Sequence, residues 1–196
     1  VFVLSLHASK FDKDLQSNFK FIQLNRSFSN VQLVVSEIKP EVLIHLGWQG
    51  IPDYSVENSF DSFKWSVEIT QCAINAGVRR VISTGSCWEY LDPKGAIDEQ
   101  WPVDRVNAFK LAKSSTREFL SLMCKEAEVE FVWLRLFYVY GRYQNQHSLI
   151  PSLLEQLRKN IAPFANNPDP TIDFVNASYV AEILLECIQK QQISGV

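Results

Sequence analysis

Two kinds of segment alternate along the chain. The first kind is short and apolar almost throughout: Val1–Leu6, Phe19–Leu24, Glu41–Leu46 (EVLIHL), Val78–Thr84 (VRRVIST) and Glu130–Phe137 (EFVWLRLF). Runs of this length and composition predict strands buried on both faces of a parallel sheet. The second kind is longer, with apolar residues every three to four positions. Val31–Ile38 is stopped by Pro40. Ser59–Asn75 carries Phe60, Phe63, Trp65, Val67, Ile69, Cys72 and Ala73 in roughly helical register, and Gly77 follows as a helix-ending glycine. Arg105–Glu128 is the longest such pattern, and Ser148–Lys159 and Ser178–Gln189 complete the set. Strands alternating with helices predict an α/β fold: a Rossmann-like, doubly wound parallel sheet with right-handed crossovers. Trp88–Asp104 and Pro163–Pro170 (PFANNPDP) are turn-rich breaks. A loop as long as the first, between a strand and a helix, points to function.

The bulk properties narrow the classes. With 196 residues, 46% hydrophobic and 21% charged, the chain has the composition of one globular domain with a real core. A net charge of −3 without any Lys/Arg block argues against nucleic acid or an anionic membrane surface as partner. No apolar run would span a bilayer, and Val1–Leu6 lacks the basic lead of a signal peptide. Cys72, Cys87, Cys124 and Cys187 lie far apart, without metal-ligand spacing. Free thiols, no metal site and a cytoplasmic location are expected.

Glycine is scarce. A dinucleotide-binding sheet opens with a strand, a tight Gly-rich turn and a helix N-terminus that faces the pyrophosphate. The seven glycines here form no such pattern, and Val1–Leu6 runs into HASKFDKDL. Val1–Leu6 therefore reads as the second strand of an incomplete sheet whose first strand, Gly-rich loop and first helix are absent. ISGV at the other end reads as the approach to a further strand. The expected division is 1–141 as a partial dinucleotide-binding domain, 142–176 as a partial substrate-binding segment, and 177–196 as a helix returning to the first unit. Weak or no cofactor binding is expected of this chain by itself.

The chemistry concentrates in Val78–Lys113. Ser86 falls just past a strand's carboxyl end, where open α/β sheets bind ligands. NAFKLAK then opens a long helix, with Phe109 and Lys113 one turn apart on one face. This order resembles the Ser/Thr…Tyr-x-x-x-Lys arrangement of extended short-chain dehydrogenases, the NAD-dependent epimerase/dehydratase family that modifies nucleotide sugars. PEVLIHLGWQG, Asn58, LRLFYVYGR (with Arg142 in place of a proline), LIPSLL, TIDFVNASYVAE and ISGV resemble further family segments in the same order. GSCWEY is closest to members that resemble CDP- and dTDP-sugar epimerases, dehydratases and 4-reductases.

The resemblance covers nearly all of the chain and implies a nicotinamide cofactor, a nucleotide-sugar substrate and a homodimer. It implies a catalytic set of Ser86, Phe109 at the tyrosine position, and Lys113. Ser86 would orient the reacting oxygen and Lys113 would hold the nicotinamide ribose. Ser5, Leu46, Gly47, Trp48, Thr84, Lys113 and Phe137 would face the cofactor; Ser86, Cys87, Trp88, Tyr138 and Arg142 would face the substrate. At the end of the second strand, Ser5, Leu6 and His7 stand where a carboxylate would bind the ribose 2′-hydroxyl, so NAD and NADP both remain open.

Phe109 departs from the pattern. A tyrosine, with a pKa of about 10, is brought towards working pH by an adjacent Lys⁺. Phenylalanine has no proton to transfer, and positioned acid–base catalysis is worth roughly 10²–10⁴-fold. Three explanations stand: a natural loss of catalysis, an engineered replacement that keeps the shape, or a proton supplied by Tyr90 or Tyr138. The chain is thus either an epimerase/dehydratase/4-keto reductase-like enzyme or a non-catalytic dinucleotide- or partner-binding member of the same fold. His45 is expected as a core histidine and His147 as a candidate ligand contact. Trp88 and Trp101 flank the loop, either stacking on a base or sugar or pinning the loop itself.

Overall fold

The computed structural model describes residues 1–6, 19–25, 27–164, 172–190 and 192–196; His7 and most of the Pro163–Pro170 break lie outside them. The elements follow in the order β1 (Phe2–Ser5), β2 (Lys20–Gln23), α1 (Phe28–Ile38), β3 (Val42–His45), α2 (Val56–Asn75) and β4 (Arg80–Ser86). Then come a 3-10 turn (Cys87–Glu89), α3 (Ala108–Glu126), β5 (Glu130–Leu136), β6 (Tyr138–Tyr140), α4 (Leu149–Arg158), β7 (Phe174–Asn176) and α5 (Ala177–Gln189). All five apolar runs are strands and all five periodic segments are helices. The three-residue strands β6 and β7 carry too little pattern to be read from the sequence. At 20 residues α2 is longer than α3 at 19, because Asn107 rather than Arg105 caps α3, its side chain accepting from the Lys110 N–H.

Among the described residues every strand pair is parallel. β3, β4 and β5 lie side by side in that order, β1 pairs with β2, and β6 pairs with β7. Among the described residues no ladder joins β1 to β3. A groove of about 780 Å³ lies there instead, lined by Val1–Leu6, Ile44–Ile51, Trp65 and Ile69. On the outer side of β5, Gly195 forms a parallel bridge with Val132.

Helices cover both faces of the sheet. Side chains alternate along β4, so Val81 and Ile82 point to opposite sides. Val81 joins a core with Val31 and Val35 of α1, Ile69, Cys72 and Ala73 of α2, and Cys124 of α3. Ile82 joins a second core with Val132 of β5 and Val180, Leu184 and Cys187 of α5. Arg80, wholly buried, ties α5 to the sheet. Its Nε donates to Glu130 (2.6 Å), and its guanidinium also donates to the carbonyls of Cys187 and Lys190 at the end of α5.

The buried face of α2 differs from the apolar register. Ser59, Ser62, Ser66 and Thr70 are buried, whereas Phe60 is 60% exposed. Ser66 Oγ meets His45 of β3 and Ser62 Oγ accepts the Gln49 N–H, and some of the buried hydroxyls return their protons to their own helix. Ser66 donates to the Ser62 carbonyl, and Thr116 to that of Ala112, both at 2.7 Å.

Candidate functional site

The site forms where β4 ends. β4 is buried along its length up to Gly85, and the chain turns at Ser86. Ser86 Oγ accepts the Trp88 N–H (3.2 Å), while the Glu89 carboxylate accepts the Ser86 N–H (2.7 Å), a reciprocal cap over one short turn. Gly85 is required there: a β-carbon would overlap both the Glu89 carboxylate and the Trp133 indole.

The first turns of α3 bring Phe109 and Lys113 inward, 4% and 5% exposed. Lys113 Nζ donates to the Thr84 carbonyl (2.9 Å) and sits 4.0 Å from the centre of the Trp48 ring. Desolvation pushes its amine down to about 8, against the opposing pull of the Glu89 carboxylate. The Phe109 ring meets Trp48, Tyr54 and Trp88 edge-on, with centroids 5.7, 5.0 and 5.9 Å away. Trp88 also donates from its indole N–H to the Tyr138 hydroxyl (3.2 Å). Ser86, Thr84, Trp48, Trp88, Phe109, Lys113 and Tyr138 are therefore one cluster. Cys87 lies on the same turn, its thiol pushed up mainly by burial.

Ser5, Leu46, Gly47 and Trp48 line the groove between β1 and β3, so Trp48 belongs to both groove and cluster. His45 is buried, with Nε2 at 2.9 Å from Ser66 Oγ. Burial, with a smaller contribution from the Lys113 ammonium, lowers it to about 4, a neutral core histidine at ordinary pH. Phe137 packs against Tyr90 (6.3 Å) and lines a separate recess with Ile97, Glu99 and Val180. Arg142 lies past β6 with its guanidinium 4.7 Å from the centre of the Tyr143 ring. His147 is exposed just before α4. Tyr90 is buried beneath the Arg135 guanidinium (4.6 Å), and Trp101 pins the loop by donating to the Leu91 carbonyl (2.9 Å).

Sequence reasoning missed Tyr54 and the buried pair of Glu89 and Arg135, whose carboxylate and Nε are 3.3 Å apart. Two signals were available for the pair. Ser86 and Glu89 have S-x-x-E capping spacing, and Arg135 interrupts an otherwise apolar strand. Among the described residues no group of three His, Cys, Asp or Glu could hold a metal ion, and no helix is long and apolar enough to cross a membrane.

The family model for NAD dependent epimerases and dehydratases matches residues 3–195. The chain belongs to that family. It is of the extended short-chain dehydrogenase/reductase type, with a partial Rossmann-like fold. No curated relative matches it by sequence. Among solved structures, UDP-glucose 4-epimerase of Thermotoga maritima with UDP-glucose superposes with a TM-score of 0.84 at 20% identity, over 97% of this chain and 65% of that one. The Bordetella bronchiseptica enzyme WbmG with NAD and UDP gives 0.79 at 20% identity, over 100% and 62%. A tyrosine-to-phenylalanine mutant of Bacillus cereus UDP-glucuronic acid 4-epimerase, with UDP-4-deoxy-4-fluoro-glucuronic acid and NAD, gives 0.75 at 18%, over 93% and 60%. The family member thus spans 60–65% of the length of these three structural neighbours.

Proposed function

We propose that this chain is a ligand-holding member of its family. It receives a nucleotide sugar beside a nicotinamide site but has lost the proton transfer that turnover needs. One observation carries the reading: beside Lys113, the catalytic position holds a buried Phe109 enclosed by three aromatic rings. Ser86 and Trp88 would contact the sugar nucleotide, with Cys87 and Tyr138 beside them. Ser5, Leu46, Gly47 and Trp48 stand at or just past the carboxyl ends of β1 and β3, the side on which open α/β sheets bind ligands. Lys113, which meets the Trp48 ring and donates to the Thr84 carbonyl, suits the ribose of NAD or NADP. A bound nicotinamide would supply hydride transfer at a sugar carbinol. No Gly-rich turn for a pyrophosphate stands among the described residues, so dinucleotide affinity is expected to be low. A structural neighbour that is itself a Tyr-to-Phe mutant has both a UDP-sugar analogue and NAD bound.

A second reading keeps catalysis and assigns the proton to Tyr138, whose hydroxyl accepts the Trp88 N–H and is half-exposed. The test compares binding and turnover of UDP-glucose with NAD⁺ for the wild type, Phe109→Tyr and Tyr138→Phe. The binding reading expects a calorimetric signal for UDP-glucose, no wild-type turnover, and a gain of roughly 10²–10⁴-fold with Phe109→Tyr. Wild-type turnover that Tyr138→Phe abolishes would replace it with the second reading.

A further inference from the structure

The proposed function leaves a buried carboxylate unused. Glu89 is wholly buried, and no other acidic side chain among the described residues is so enclosed. Its carboxylate accepts three donors: the Ser86 N–H (2.7 Å), the Trp133 indole N–H (3.2 Å) and Arg135 Nε (3.3 Å). The Arg135 side chain is itself 3% exposed, and it also donates to the Glu99 carbonyl (3.0 Å) in the loop that follows the turn. The Asp104 N–H donates to the Glu89 carbonyl (2.7 Å), closing that loop at its far end.

A buried ion pair is weak evidence of stability, since apolar residues of similar volume commonly do as well. This one joins the turn that presents Ser86 to the loop beside it. We infer that Glu89 is a positioning residue: it fixes the backbone of Ser86, and with it the direction of the Ser86 hydroxyl, while Arg135 holds the loop Leu91–Asp104 alongside. The inference rests on the proposed role of Ser86 towards a sugar nucleotide.

The experiment compares wild type, Ser86→Ala, Glu89→Gln, the paired Glu89→Leu/Arg135→Leu variant, and that pair combined with Ser86→Ala. UDP-glucose affinity is measured by calorimetry, and amide hydrogen exchange is measured on each protein. The apolar pair is expected to fold but to bind about tenfold more weakly, as Ser86→Ala does. The triple variant should be no worse than Ser86→Ala alone. Glu89→Gln, which keeps an acceptor for Ser86, should recover most of the affinity. Wild-type affinity in the apolar pair overturns the inference. If the wild type binds no UDP-glucose, the proposed function fails and exchange alone decides. Faster exchange at Ser86, Leu91 and Asp104 in the apolar pair, reversed in Glu89→Gln, sustains the positioning role; unchanged protection refutes it.

Discussion

Neutralising Lys113 gives the most direct test of the site's electrostatics. Its amine falls from 10.5 to about 8 because the aromatic enclosure strips its water. In the unfolded chain it returns to its ordinary value, so between pH 8 and 10.5 the unfolded state binds more protons than the folded one. Stability from this group therefore rises with pH across that window, and the cost of burying the charge is fully present below it. The shift corresponds to a gain of roughly 3 kcal/mol. The thiols work the other way: Cys72, Cys87, Cys124 and Cys187 are all raised, so the folded state keeps their protons longer and loses stability above about pH 9. The comparison must therefore be with Lys113→Met, which shares those thiols. Urea unfolding of both proteins, from about pH 7.5 to about pH 10.5, should show the wild type gaining roughly 3 kcal/mol on the variant. A difference that stays flat across the range would mean that the ammonium is solvated and that Trp48 does not cover it.

Other perturbations should read out separately. His45 is held at about 4 against an ordinary 6.5, so stability should rise with pH between those values, by up to about 3 kcal/mol, and His45→Asn should remove that rise in acid unfolding curves. Gly85→Ala should cost roughly 1–3 kcal/mol of unfolding free energy in urea, since the methyl group meets the wholly buried Glu89 and Trp133. Arg80→Met should cost about 3–5 kcal/mol by thermal and urea unfolding, because the carbonyls of Cys187 and Lys190 lose their buried donor.

Five of the strands were legible because each is a short, mostly apolar run, as the interior of a parallel sheet favours. The centre of the site was legible for a different reason. Ser86, Phe109 and Lys113 depend on local spacing, one turn of helix and one strand end, which the sequence carries directly. The buried face of α2 was not legible, because it is lined by serines and a threonine, residue types that usually mark a solvated face. Phe137 stands apart from the Lys113 cluster because it turns away from its neighbour Tyr138 towards Tyr90, while Arg142 lies beyond the end of β6 against Tyr143, and Tyr138 alone reaches Trp88. Glu89 and Arg135 lie 46 positions apart, and only the β4–β5 pairing brings them together.

Val81 and Ile82 are neighbours in the chain but anchor different cores, one beneath α1 and α2 and one beneath α5. A sheet one residue thick thus divides the molecule into two layers that can lose order separately. The α5 layer is the smaller, with Arg80 as its buried polar tether. Sub-global opening would begin on that side while the layer beneath α1 and α2 stays closed. Amides would then sort by the face their helix covers, not by their order along the chain, and the two halves of β4's own side chains would report on different events.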